Sequence, residues 1–123
     1  MRNSAKNVPS AEQALLFDQY MAHWQEVLSL GDWRIERGNR PAKNAMASVE
    51  VNNPARLATY RIGDFGAESI TPASLKKTAL HECLHLLTYD LIEIASDRGA
   101  TPEQLEAAEH RVINVLERAL TKD

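Results

Sequence analysis

Apolar residues recur at helical spacing in three parts of the chain, which predicts three helices. The predicted helices cover residues 10–30, 71–95 and 101–120. Each range opens on a hydroxyl side chain that can cap a helix, at Ser10, Thr71 and Thr101. Gly31 follows the first range, and we expect it to end that helix because glycine suits the position after a helix C-terminus.

Three short segments between the first two helices alternate apolar and polar residues, as half-buried strands do. They cover residues 32–37, 45–51 and 57–62. Turn residues at 38–41 and 52–54 separate them, so we expect an antiparallel meander. The order α-β-β-β-α-α predicts an α+β fold with an N-terminal helix, a small, mostly antiparallel three-stranded sheet and two further helices.

The length of 123 residues suits one domain. Residues 1–9 are polar and predict a flexible tail, with residues 10–123 forming the domain. The net charge of −3 provides no general attraction to nucleic acid or to an anionic membrane. A local basic patch that could contact nucleic acid stays open in the sheet region, at Arg34, Arg37, Arg40, Lys43, Arg56 and Arg61.

The single cysteine, Cys83, excludes a disulfide within the chain and suits a reducing compartment. The sequence contains neither a secretory leader nor a long apolar run, so we expect a cytoplasmic protein without a membrane segment. We interpret Cys83 as a small buried apolar residue.

The second predicted helix contains His81, Glu82 and His85, spaced as His-Glu-x-x-His. Residues four apart lie on one face of a helix, so both imidazoles can bind one Zn²⁺ ion. Glu82 lies about 100° around the helix from His81, where its carboxylate can take a proton from a zinc-bound water. The motif therefore predicts a hydrolytic zinc centre, and the alternative is a pair of surface histidines on an amphipathic helix.

A catalytic zinc ion normally has three protein ligands. On the third predicted helix, Glu109 falls within an otherwise apolar stripe, where an acid would need a partner. We therefore expect Glu109 to be the third ligand, with His110 as the fallback. The alternative is that Glu109 lies at a partly open helix end and pairs with a surface Arg or Lys.

A His-Glu-x-x-His helix followed by a helix that supplies a glutamate resembles the gluzincin branch of zinc metallopeptidases. The element order resembles the minimal zincin-like domains of phage and bacterial proteins, in the broad neighbourhood of SprT-like proteases. The resemblance is sharp across residues 75–120 only. It implies a single zincin-like metallopeptidase domain, a Zn²⁺ cofactor and a protein or peptide substrate.

Two branches of this group fit less well. The metzincin pattern requires glycine at position 88 and histidine at position 91, where this chain has Thr88 and Leu91, so that branch is excluded. Thermolysin-type enzymes have Asn-Glu at the third ligand, whereas this chain has Ala108 and Glu109.

Zinc peptidases bind substrate as an added strand at a sheet edge, so the resemblance implies this role for residues 45–51 or 57–62. A donor that stabilises the oxyanion is also required, and the candidates are Tyr89, Tyr60 and His110.

The expected function is a zinc-dependent metallopeptidase with Glu82 as general base and His81, His85 and Glu109 as ligands. One alternative is a non-catalytic, zinc-stabilised protein-binding domain that acts as an inhibitor or adaptor. The other is a SprT-like, DNA-associated protease that uses the arginines of the sheet region.

Overall fold

A computed structural model describes residues 6–122 and shows an α+β fold of three helices and one three-stranded sheet. The elements are α1 (Ala11–Val27), β1 (Arg34–Arg37), β2 (Ala47–Asn52), β3 (Leu57–Ile62), α2 (Pro72–Ser96) and α3 (Pro102–Thr121). The predicted element order is confirmed, and most boundaries agree within two or three residues.

Each helix begins with two reciprocal hydrogen bonds between a capping residue and the residue three positions later. The pairs are Ser10 and Gln13, Thr71 and Ser74, and Thr101 and Gln104. These bonds satisfy backbone N–H groups that have no partner within the helix, which explains why the predicted starts are correct.

The predicted end of α1 at Gly31 is wrong. The helix stops at Val27, and Leu28 caps it. Ser29 adopts a left-handed backbone with φ 55°, while Gly31 does not. The chain therefore reverses two residues before the glycine, which lets Leu28 and Leu30 enter the core.

The sheet is mixed and has the strand order β1-β3-β2, so the predicted meander is wrong. β3 is central, pairing parallel with β1 and antiparallel with β2. The physical reason lies in the connection from β1 to β2, which crosses the end of β3 at Gly63. A side chain at Gly63 would lie 2.2 Å from the carbonyl oxygen of Ala45, so only glycine allows this approach. The crossing makes β2 an edge strand.

The core lies between the sheet and the helix pair α1 and α2. Ala58 and Tyr60 on β3 point into it, and the Tyr60 ring packs against Phe17 of α1 with ring centroids 5.7 Å apart. Cys83 on α2 is fully buried against Met21 of α1, as predicted for an apolar cysteine. α3 packs on the outer side of α2.

The part of the predicted flexible tail that the structure describes is attached to the loop after β3. Asn7 donates its backbone N–H to Asp64 and its side-chain amide to the carbonyl oxygens of Gly66 and Glu68. Residues 1–5 of that prediction lie outside the described residues. No helix within residues 6–122 has the length and apolar character needed to cross a membrane.

Candidate functional site

His81 and His85 lie side by side on one exposed face of α2, one helical turn apart. Their ring centroids are 4.8 Å apart and the rings are nearly perpendicular. Exposure leaves both imidazoles free to turn toward a shared ion. The helical spacing of the motif therefore produces the side-by-side arrangement that the sequence predicts.

Glu82 lies between the two histidines in sequence but points toward the sheet. Its residue is only 5% exposed, although an unpaired carboxylate is costly to bury. Burial raises the pKa of Glu82, and the nearby histidines partly oppose this effect. Among the described residues, neither a hydrogen bond nor a basic ion-pair partner from Lys or Arg contributes to this pKa.

A groove, here called the histidine groove, separates α2 from the edge strand β2. One cavity of about 710 Å³ extends toward the start of α2, and a second of about 630 Å³ extends toward its end. Ala47, His81 and Glu82 line both cavities, so the motif lies where the two meet. Both cavities are lined by a mixture of apolar and polar side chains, and the apolar ones include Met46 in the first and Val51 in the second.

Glu109, the predicted third ligand, is not brought to the two histidines. It is exposed, because the buried side of α3 is centred nearer Val115, about 120° away from Glu109 around the helix. Asp90 on α2 contacts Arg111 on α3, so Glu109 lies level with the end of α2, roughly 10 Å along the axis from His85. The premise that Glu109 interrupts a buried stripe is therefore wrong.

The structure therefore supplies two of the three protein ligands that a catalytic zinc ion normally has. Within residues 6–122, no three His, Cys, Asp or Glu side chains are grouped as a metal site would require. His81 and His85 have the spacing that zinc needs, and Glu82 has the position of a base beside it. The source of the third ligand stays a prediction.

The three candidate oxyanion donors lie in three different places. Tyr89 lines the histidine groove, and its hydroxyl donates to Glu93 at 3.0 Å. Tyr60 is buried in the core and donates to Asp18 at 2.6 Å, on the α1 side of the sheet. His110 lines a separate cleft that α3 forms with Ser29, the residue after the cap of α1. Only Tyr89 therefore shares a cavity with the two histidines.

Four of the six basic residues of the sheet region form ion pairs. The pairs are Arg34–Glu36, Arg37–Asp18, Arg56–Asp32 and Arg61–Glu50, and Arg56 also pairs with Asp90. Carboxylates next to these arginines largely cancel their charge at longer range. The sheet surface therefore lends no support to the DNA-associated alternative.

Sequence reasoning missed two contributions to the site. Ala47 lines both cavities and Thr78 lines the first, but neither residue type carries a chemical signal. Arg56 and Asp90 form an ion pair beside the groove although they are 34 residues apart. The only local signal was the position of Asp90 one turn beyond the motif, which is too weak to identify a partner.

No protein-family model matches this chain, and the comparisons found no similar curated protein and no similar solved structure.

Proposed function

We propose that this protein is a zinc-dependent hydrolase, and specifically a metallopeptidase with a zincin-like fold. His81 and His85 would hold the ion. The third ligand predicted from the sequence is Glu109, with His110 as fallback, but α3 places both away from the two histidines. A bound zinc ion lowers the pKa of a water and polarises the substrate carbonyl. Glu82 takes the proton from the attacking water and returns it to the leaving nitrogen, as a general base and then a general acid.

One observation carries this proposal: the Glu82 carboxylate, which has no hydrogen-bonding partner within residues 6–122, lies at the junction of two cavities, directly beside two exposed histidines. A surface histidine pair would not explain why a carboxylate opens onto this groove with so little of its residue exposed, because even partial loss of hydration makes an acid less stable. Burial and a raised pKa do suit a group that must accept a proton and then release it.

The sheet suggests how a peptide would bind. Two segments were expected to bind substrate. β3 is hydrogen-bonded to a strand on each side, whereas β2 pairs with β3 alone in the described chain and has one free edge. An extended peptide could hydrogen-bond to the free edge of β2 and place side chains in the cavities on either side of Glu82. Residues 45–51 are therefore the proposed substrate strand.

The decisive variant is Glu82→Gln, which keeps the size of the side chain and removes the base. We expect it to bind zinc as the wild type does and to lose about 10²–10⁴-fold in the rate of peptide hydrolysis. Zinc content by metal analysis and hydrolysis of a peptide library provide the two measurements. Glu106→Gln, an exposed glutamate on α3, is the matched control and should change neither.

Full activity in Glu82→Gln would show that the mechanism is wrong. The predicted third ligand has its own test, in which Glu109→Gln is compared with His81→Ala. Zinc binding weakened as in His81→Ala would make Glu109 a ligand despite its distance from the two histidines. Unchanged zinc affinity in Glu109→Gln would remove Glu109 from the ligand set.

A second candidate is a non-catalytic protein-binding domain. It is favoured by the two-histidine donor set without a grouped third ligand in residues 6–122, together with the free edge of β2. In that case a proline at Val49 would abolish partner binding, because it removes a backbone donor from the strand, and the bound partner would remain uncleaved. Cleavage that depends on Glu82 would exclude this candidate.

A further inference from the structure

Arg56 is the centre of a cluster at the far end of the histidine groove. It lies in the turn between β2 and β3, and its guanidinium donates to both oxygens of Asp90 on α2, at 2.7 and 3.3 Å. It also donates to Asp32, just before β1. Arg111 of α3 contacts the same two carboxylates at 3.3 and 3.6 Å. One guanidinium therefore links the turn, the sheet and the histidine-bearing helix.

The Arg56 cluster reaches the groove through two aromatic rings. The guanidinium carbon lies 3.9 Å from the ring centroid of Trp33, a geometry typical of cation–π contacts. Trp33 is buried and packs perpendicular to the ring of Tyr89, with centroids 5.5 Å apart. Tyr89 lines the groove together with His85. The contacts of Arg56 thus continue directly into the groove wall.

The backbone of Arg56 is strained. Its φ is 54°, in the left-handed region that side chains other than glycine rarely adopt. A turn with no other requirement would accommodate glycine there more easily. Strain of this kind persists only where the surroundings over-determine the conformation, and here the two carboxylates and Trp33 do so.

We propose that Arg56 is a positioning residue that sets how far the edge strand β2 stands from the histidine pair. β2 ends at Asn52, so the turn that contains Arg56 holds the far end of the strand. Asp90 lies about 7.5 Å along α2 from His85, so the ion pair fixes the strand to the helix just beyond the motif. The effect of the distance between β2 and α2 on catalysis rests on the proposed function. The inference that Arg56 sets this distance does not.

Arg56→Gly is the principal variant, because it removes the guanidinium and relieves the backbone strain. Arg56→Lys is the second, since it keeps the charge but loses the planar fork that binds two carboxylates and stacks on Trp33. Arg34→Ala is the matched control, because it removes an arginine and an ion pair from β1, away from the groove.

Crystal structures of the wild type and the variants measure the spacing directly, as the Cα distance between Val51 on β2 and Thr88 on α2. We expect this distance to grow by about 1 Å in Arg56→Gly, the scale at which misplaced groups lose up to about 10²-fold in rate. Arg56→Lys should show a smaller shift, and Arg34→Ala none. If Arg56→Gly fails to fold, Arg56→Lys decides the question by the same distance.

Measurements of zinc affinity, KM and kcat distinguish a positioning role for Arg56 from a general contribution to stability. Zinc affinity should remain that of the wild type in both variants, because His81 and His85 are spaced by α2 alone. With the proposed function correct, KM for a peptide should rise more than kcat falls. An unchanged distance between β2 and α2 would overturn the inference whatever the activity. Absence of hydrolysis in the wild type would refute the proposed function while the distance still decides this one.

Discussion

Glu82 and Cys83 are neighbours on α2, and burial raises the pKa of both side chains. Glu82 nevertheless faces the histidine groove, where two imidazoles oppose the effect of burial. Cys83 faces α1 and is fully enclosed. A rotation of about 100° between adjacent helical positions therefore separates a carboxylate suited to proton transfer from a thiol that is part of the core.

The thiol of Cys83 should be inert in the folded protein. Burial raises its pKa to about 12, so almost no thiolate forms near pH 8, and reagents cannot reach it. We expect Ellman's reagent to leave the native protein unlabelled over hours and to label one thiol per chain in denaturant. Rapid labelling under native conditions would mean that α1 separates from α2 readily.

At the scale of elements, α2 differs from α3 in how much of its surface is covered. α2 packs against α1, the edge strand and α3, and seven of its residues are buried. α3 packs against α2, and Val115 is its one buried residue within the described chain. The sequences agree with this difference, because α2 carries apolar residues around more of its circumference than α3, which has one apolar face.

The same substitution on these two helices should have different effects on stability. Leu75→Ala on α2 leaves a cavity in the core and should lower the free energy of unfolding by about 2–5 kcal/mol. Leu105→Ala on α3 removes a side chain that is 40% exposed and should change it by no more than about 0.5 kcal/mol. Urea denaturation measures both, and equal losses would contradict the packing described for α3.

At the scale of the whole molecule, the two histidines of the proposed zinc site lie on one helix, but the groove beside them requires several elements. The histidines belong to α2, the opposite wall belongs to β2, and the Arg56 cluster connects both to α3. Because the site exists only when these elements are packed together, a ligand that binds the folded state and not the unfolded state stabilises the entire fold.

Zinc should raise the free energy of unfolding, and the gain should increase with the logarithm of the ratio of free zinc to Kd once that ratio is large. At a free zinc concentration of 100 times Kd, the expected gain is about 2.7 kcal/mol. The gain should disappear in His81→Ala and persist in His23→Ala, which removes an exposed histidine from α1. Thermal denaturation with and without zinc measures it. Equal stabilisation of both variants would place the ion elsewhere.

The sequence alone determined the helix starts, the strand segments and the paired histidines, because each depends on neighbours a few residues away. Thr71 caps α2 through Ser74, and His81 meets His85 by helical spacing. These features follow from local hydrogen bonds and from the helical repeat.

Tertiary structure alone decided the strand order, the exposure of Glu109 and the cluster around Arg56. The crossing at Gly63 places β2 at the sheet edge, and the packing of Val115 turns Glu109 toward solvent. Arg56 meets Asp90 only because β2 packs beside α2 and brings the following turn next to the helix. Each of these contacts joins residues distant in sequence, and such contacts depend on the packing of whole elements, which residue spacing does not encode.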